Sequence, residues 1–342
     1  MLTEKQVNFI REELATAKNP LFFYDDDADG LSAFLLLYRI HREGKGVILK
    51  TSPKLDMRLF RKVEELNPDK IFVLDVPIID QEFIDAVKRP IFWIDHHQPL
   101  QRENVHYFNP RIDNPDAYIP TTRMAWQISQ REEDFWIAGI GVLGDYSMPD
   151  FMDKYRKAYP QLVQKKTTLP KTIFKQPISV LIKMFFFFLK GPTSDVRKSV
   201  SIITKIKSPD EILQQQTSKG RYLFKRFEKL NEKYMELLKQ AKKCATRSKI
   251  LLFNYTENQW SFTANLANEL TVMYPKKAVI ISRNKSGEMK CSLRAQFPIS
   301  KALERALVGI EGYGGGHENA CGAVIKEEDW KRFLEQFKKE LS

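Results

Sequence analysis

Leu21-Phe22-Phe23-Tyr24-Asp25-Asp26-Asp27-Ala28-Asp29-Gly30-Leu31 runs from an apolar segment of strand composition, through four carboxylates in five residues, into an apolar segment with helical spacing. Adjacent carboxylates repel, so an acidic turn at a helix start is most easily rationalised if a cation offsets its charge. Asp is also favoured as an ordinary helix cap, and from these residues alone both readings stand.

Outward from this turn, the short apolar runs Leu21 to Tyr24, Val47 to Leu49, Ile71 to Leu74 and Ile91 to Ile94 have strand length and composition. Helix-like stretches separate them: Leu31 to Arg42, Met57 to Leu66 and Gln81 to Val87. Strands alternating with helices predict an α/β fold with a mostly parallel sheet, whose ligands gather at the carboxyl ends of the strands. Asp25, Asp75 and Asp95 each directly follow an apolar run, so that edge is acidic. From about 120 to 245 the pattern is helical, with Ala125 to Gln130, Asp134 to Val142 and the basic amphipathic stretch Lys219 to Lys243.

Strand patterning restarts at Lys249 to Asn254, followed by a helical Ala264 to Val272 and by strands at Ala278 to Ser282 and Met289 to Leu293. Helical segments at Ile299 to Leu307 and Glu328 to Leu341 complete a second, smaller α/β unit. The expected organisation is residues 1–150, a helical connector over 151–245, and 246–342, without internal repeats.

The 342 residues, 43% hydrophobic and 29% charged, describe an ordinary folded protein, not a disordered or disulfide-built one. Lys plus Arg at 55 against Asp plus Glu at 43 leave +12, which favours a polyanionic partner or simply a solvated basic surface. Cys244, Cys291 and Cys321 lack C-x-x-C spacing and suit reduced thiols in a cytoplasmic setting. Met1 to Asn19 mixes charged with apolar residues, unlike a signal peptide. The most membrane-like stretch, Ile178 to Leu189, contains Lys183 and falls short of the ~20 apolar residues needed to span, so no membrane partner is expected.

Ile94-Asp95-His96-His97 places an acid and two imidazoles at a strand end, three groups able to hold a divalent metal or to orient one another. Asp75, and Asp145 after Gly141-Val142-Leu143-Gly144, would individually pass as caps or turns and gain weight as members of a set. Gly314-Gly315-Gly316-His317 allows backbone to approach a phosphate closely and to present N–H groups as an anion nest, a tight turn being the plainer alternative.

Taken in order, D-x-D-A-D-G at Asp25 to Gly30, Asp75, D-H-H at Asp95 to His97 and G-D at Gly144-Asp145 resemble the four motifs of the DHH phosphoesterase superfamily. Gly314 to His317 resembles the G-G-G-H signature of the DHH-associated domain, and Cys291-Ser292-Leu293-Arg294 its substrate-binding arginine segment. The resemblance covers roughly 20–150 and 246–330 and leaves the helical middle without a motif. D-x-D-A-D-G looks like the RecJ-like branch. Leu21 stands where the pyrophosphatase and nanoRNase branches usually carry a histidine, so one family metal ligand has no counterpart.

The resemblance implies that Asp25, Asp27, Asp75, His96 and Asp145 bind two divalent cations, Mn²⁺ foremost with Mg²⁺ as a substitute. Carboxylate-rich ligation with an imidazole suits Mn²⁺ independently of the resemblance. It further implies that His97 addresses the phosphate or leaving group, that Asp95 and Asp29 orient neighbours, and that Arg294, Gly314, Gly315, Gly316 and His317 grip substrate across an interdomain cleft. The implied activity is a RecJ-like exonuclease that degrades single-stranded DNA or RNA from an end. The alternatives are a nanoRNase or nucleotide phosphatase acting on short substrates, and a replication-associated scaffold.

Basic runs at Lys165-Lys166, Lys219 to Arg226 and Lys239 to Lys249 fit a track for a nucleic-acid backbone, or exposed helix faces. Trp93, Trp260, Phe224 and Tyr222 are candidates for base stacking as well as core residues. Phe185 to Phe188 is a candidate docking surface for replication or repair proteins.

Overall fold

The structure, a computed structural model, describes residues 1–50, 54–256 and 260–341. The chain forms two compact units, one of Met1–Leu189 with Ser194–Phe224, the other of Lys190–Thr193 with Lys225–Ser342.

The first unit is built on five strands, β1 (Leu21–Asp25), β2 (Lys45–Leu49), β3 (Ile71–Leu74), β4 (Ile91–Ile94) and β5 (His106–Phe108). They lie in the order β2-β1-β3-β4-β5, every neighbouring pair parallel. Leu21 to Tyr24, β3 and β4 are buried at every residue, because a parallel sheet is covered on both faces and therefore reads as continuous apolar runs. On one face Phe23, Val73 and Trp93 share a core with Val63, Phe83 and Val87. On the other, Phe22, Phe72 and Phe92 form a row of stacked rings with centroids 5.3 and 5.0 Å apart. Between β1 and β3 the strand order reverses direction, which opens the crevice where such sheets bind ligands.

Several elements differ from the sequence expectation. The helix after β1 spans Ala28–His41 and starts three residues earlier than Leu31, because Asp27 caps it by accepting from the Gly30 N–H at 2.9 Å. The Met57 to Leu66 stretch opens with a 3₁₀ turn, Met57–Leu59, before its α-helix Phe60–Leu66. β5 is three residues long, and the parallel pair Lys54–Leu55 with Ile78–Ile79 only two per strand, too short for any periodicity to register.

After β5 the chain is helical up to Ser218–Lys243. Helices Thr121–Ser129 and Phe135–Gly144 pack on Ala28–His41, and Phe135–Gly144 also meets Ile178–Phe188. Phe185, Phe187 and Phe188 are fully buried, Phe185 edge-on to Trp136 at 6.0 Å, so the expected docking surface is core. Trp93 is likewise buried, its indole N–H donating to the Val76 carbonyl at 2.7 Å, which removes it from base stacking. Among the described residues no helix is long and apolar enough to cross a membrane.

The second unit carries β6 (Ile250–Tyr255), β7 (Ala278–Lys285), β8 (Glu288–Arg294), β9 (Gly312–His317) and β10 (Ala320–Lys326). Their order is β9-β10-β8-β7-β6, parallel between β6 and β7 and antiparallel elsewhere. Its core joins Cys291, Leu293, Cys321, Ala323 and Ile325 to Leu303, Trp330, Phe333 and Phe337 of the covering helices. All three cysteines are free thiols.

Candidate active site

Asp25 is the last residue of β1, Asp75 follows β3, Asp95 to His97 follow β4, and Asp145 caps the end of the Phe135–Gly144 helix. Parallel strands put their carboxyl ends on one edge, so residues far apart in sequence meet at the β1/β3 crevice. Two glycines let the backbones close in. A side chain at Gly30 would place its Cβ 2.7 Å from the Asp25 carbonyl oxygen, and one at Gly144 would lie 2.6 Å from the Ala28 Cβ. Asp75 has φ +60°, the left-handed region that Asp tolerates better than most residues, and its N–H donates to the Ile94 carbonyl at 3.0 Å.

His96, 4% exposed, stands among the acids. Its Nε2 lies 3.3 Å from Asp75 Oδ1 and 4.0 Å from Asp29 Oδ2, and its Nδ1 lies 3.8 Å from Asp145 Oδ2. Three groupings have ligand atoms all within 4.8 Å of one another: Asp25, Asp27 and Asp75; Asp29, His96 and Asp145; Asp75, His96 and His97. The structure thus brings Asp25, Asp27, Asp29, Asp75, His96, His97 and Asp145 together, Asp29 within metal-ligand reach and not only behind it. Oxygen donors joined by one or two imidazoles suit Mn²⁺ or Mg²⁺, whereas structural zinc favours thiolates.

Burial pushes the carboxyls of Asp25, Asp75 and Asp145 well above the usual carboxylate range, and their acidic neighbours push them further. Asp29 rises to about 7 by burial and the charge of Asp27, against the hydrogen bonds it accepts from Thr121 and Thr122. So many carboxylates in one dry crevice cannot all stay ionised without cations to neutralise them. His97 has a different setting. Its Nδ1 is 2.7 Å from Asp95 Oδ1 and its N–H donates to Asp95 Oδ2 at 3.0 Å. Burial works against the charged ring, yet the Asp95 contact prevails and raises the His97 pKa above its ordinary value.

Four further residues hold this arrangement and carried no motif in the sequence. Thr121 Oγ1 donates to Asp75 Oδ1 at 3.1 Å, and the N–H groups of Thr121 and Thr122 donate to the two oxygens of Asp29 at 2.8 and 2.7 Å. Asn109 Nδ2 donates to the His97 carbonyl at 2.9 Å and reaches Asp95 at 3.3 Å. Tyr118 donates its hydroxyl to the Asp145 carbonyl at 3.2 Å. Pro120-Thr121-Thr122 reads in sequence as a helix start, which hints at the two threonines; nothing hints at Asn109 or Tyr118.

Arg294 and His317 lie in the second unit. In register both oppose Ala320, one on each side of β10, so they share one end of that sheet. Arg294 is held by Asn268 Oδ1 at 2.7 Å and the Cys321 carbonyl at 2.8 Å. Gly314, Gly315 and Gly316 form no nest and no tight turn: Gly312–His317 is an extended edge strand exposed at every residue. Proximity requires glycine at Gly314, where a Cβ would meet the Ala323 Cβ at 2.8 Å, whereas a Cβ on Gly315 would enter open space.

Residues 252–342 match the DHHA1 domain. No curated protein matches the chain. Among solved structures it is similar to RecJ from Thermus thermophilus in complex with Mn²⁺, at 16% identity and a TM-score of 0.69, over 98% of this chain and 54% of that one. It is similar to an exonuclease RecJ bound to manganese, at 15% identity and a TM-score of 0.65, over 98% and 93%. It is also similar to PggH, a pGpG-specific phosphodiesterase from Vibrio cholerae, at 16% identity and a TM-score of 0.53, over 94% and 98%. The chain spans about half the length of the Thermus RecJ.

Fold and site together define an α/β protein with a parallel-sheet domain, a helical connector and a mixed-sheet domain, the first of these holding a buried Asp/His cluster suited to divalent metal. The same fold is seen in the RecJ and PggH structures, and the chain's C-terminal quarter matches the DHHA1 domain.

Proposed function

We propose that this chain is a metal-dependent phosphoesterase that hydrolyses phosphodiester bonds of single-stranded DNA or RNA from an end. The observation that carries the reading is the crevice in which Asp25, Asp27, Asp29, Asp75 and Asp145 surround the buried His96. Asp25, Asp27, Asp75, His96 and Asp145 would hold two divalent ions, with Asp29 within reach. Such ions, when bound, orient the scissile phosphate, activate water and stabilise the leaving oxygen.

The chain's own residues do the rest. Asp95 fixes the His97 ring through Nδ1 and holds it toward the protonated form, the state that offers a cation to a phosphate oxygen. Thr121 and Thr122 hold Asp75 and Asp29 so that the acids keep their places when they ionise. In the second unit, Arg294 and the edge strand through Gly314, Gly315, Gly316 and His317 offer positive charge and exposed backbone that suit phosphate groups. The excess of 55 Lys and Arg over 43 Asp and Glu suits a polyanion.

A second reading is hydrolysis of dinucleotides and short oligonucleotides, supported by the similarity to a pGpG-specific phosphodiesterase, 98% of which the chain covers. Digestion of end-labelled single-stranded DNA and RNA beside a dinucleotide, with Mn²⁺ and an Asp75→Ala control, separates them. Stepwise shortening of long strands supports the exonuclease, and turnover of the dinucleotide alone supports the short-substrate enzyme. Cleavage that persists in folded Asp75→Ala protein removes the cluster from the chemistry and overturns both.

A further inference from the structure

The segment from Asn109 to Pro120 joins β5 to the Thr121–Ser129 helix, and both of its ends are tied to the acidic crevice. Asn109 bonds the His97 carbonyl and Asp95, and Thr121 and Thr122 bond Asp75 and Asp29. Between those ends the segment is internally braced. The Asn114 N–H donates to the Pro110 carbonyl at 3.1 Å, the Ala117 N–H to the Asn114 carbonyl at 2.9 Å, and Arg111 Nε to the Pro115 carbonyl at 3.0 Å.

This braced segment presents Tyr118, 49% exposed, with its hydroxyl on the Asp145 carbonyl and its ring 5.2 Å from the His96 imidazole at 73°. Among the described residues of the first unit, the exposed Phe, Tyr or Trp side chains are Tyr118 and Tyr146, and both adjoin Asp145. Other rings near the site are used for packing: Trp93 and Tyr107 stack on each other at 3.9 Å. A tyrosine whose hydroxyl is anchored while half its surface meets water is a pre-organised apolar platform, and its placement costs the substrate no ordering entropy.

We propose that Tyr118 is a specificity residue that stacks the planar base of the nucleotide next to the scissile phosphate, so that the site prefers base-bearing phosphodiesters. The proposal rests on the phosphoesterase reading, since a phosphate bound to ions that His96 and Asp145 would hold leaves its attached nucleoside within reach of the neighbouring ring. Base–aromatic stacking tolerates every base, because each has a π face, so this contact selects nucleotides without selecting sequence.

The test compares two substrates with the same phosphodiester, an adenine dinucleotide and its abasic analogue, on the full chain with Mn²⁺. Wild-type protein is expected to favour the base-bearing substrate in kcat/KM. Tyr118→Leu, which keeps apolar bulk without a π system, is expected to shrink that preference about tenfold or more, chiefly through KM. Tyr118→Phe, which keeps the π face and loses only the hydroxyl's bond to the Asp145 carbonyl, is expected to keep most of it. An unchanged preference in folded Tyr118→Leu protein overturns the platform while leaving the phosphoesterase intact. Equal loss in Tyr118→Phe also overturns it, because the hydroxyl anchor would then be what matters. Wild-type protein that cleaves neither substrate overturns the phosphoesterase reading and the platform with it.

Discussion

Asp75 concentrates the electrostatic problem of the crevice: it is 2% exposed, sits in left-handed backbone, accepts from Thr121 and lies 3.3 Å from His96. Its carboxyl is pushed well above the ordinary range by burial and by Asp29, Asp27, Asp145 and Asp25, so an ionised Asp75 opposes folding until a cation arrives. Asn keeps the shape, tolerates the same backbone and still accepts from Thr121. Asp75→Asn is therefore expected to melt about 2–4 °C higher than wild type in chelator by calorimetry, while losing the rise that Mn²⁺ gives wild type. Thr121→Val removes the hydroxyl on Asp75 but no acid. It is expected to weaken Mn²⁺ binding by about 10–100-fold in isothermal titration, the usual consequence of releasing a ligand from its support.

At the scale of elements, the Phe135–Gly144 helix delivers Asp145 only because it packs close to Ala28–His41. Helix propensity alone says that Ala at 144 stabilises by about 1 kcal/mol over Gly. Packing says the reverse, since that Cβ would lie 2.6 Å from the Ala28 Cβ, at the start of the helix that carries Asp29. Gly144→Ala is expected to destabilise by about 1–3 kcal/mol in denaturant titration. It is also expected to lower Mn²⁺ affinity, because the strain falls between two elements that each hold candidate ligands. A gain in stability would show that these helices can separate at no cost.

Across the first unit, Arg39 ties distant parts of the chain together. Its Nε lies 2.7 Å from Asp134, and its guanidinium donates to the Ile206 carbonyl at 2.6 Å, 167 residues away. Arg39 is 5% exposed and Asp134 fully buried. Removing one partner strands the other's charge, although Arg131 keeps a 3.0 Å contact with Asp134. Arg39→Met is expected to cost about 3 kcal/mol or more, and Arg39→Met with Asp134→Leu to recover part of that loss, the double-mutant cycle measuring the coupling. Additive losses would mean that the guanidinium serves the Ile206 carbonyl and not the acid.

The order and composition of the chain determined much of this protein. Continuous apolar runs at Leu21 to Tyr24, Ile71 to Leu74 and Ile91 to Ile94 announce buried parallel strands, because strands covered on both faces have no polar alternation to blur them. The acids and histidines were legible because Asp25, Asp75 and Asp95 to His97 stand at or just after strand ends, Asp27 and Asp29 open the helix after β1 and Asp145 closes a helix, and strand ends of a parallel sheet share an edge. Only the tertiary structure decided what surrounds them. Thr121, Asn109 and Tyr118 reach the crevice through contacts distant in sequence or through loop geometry that has no period. It decided, too, that Phe185, Phe187 and Phe188 are core and not a surface, since apolarity does not say which neighbour covers them. The glycines before His317 became an edge strand because β10 pairs them in register, a non-local choice that local flexibility leaves open.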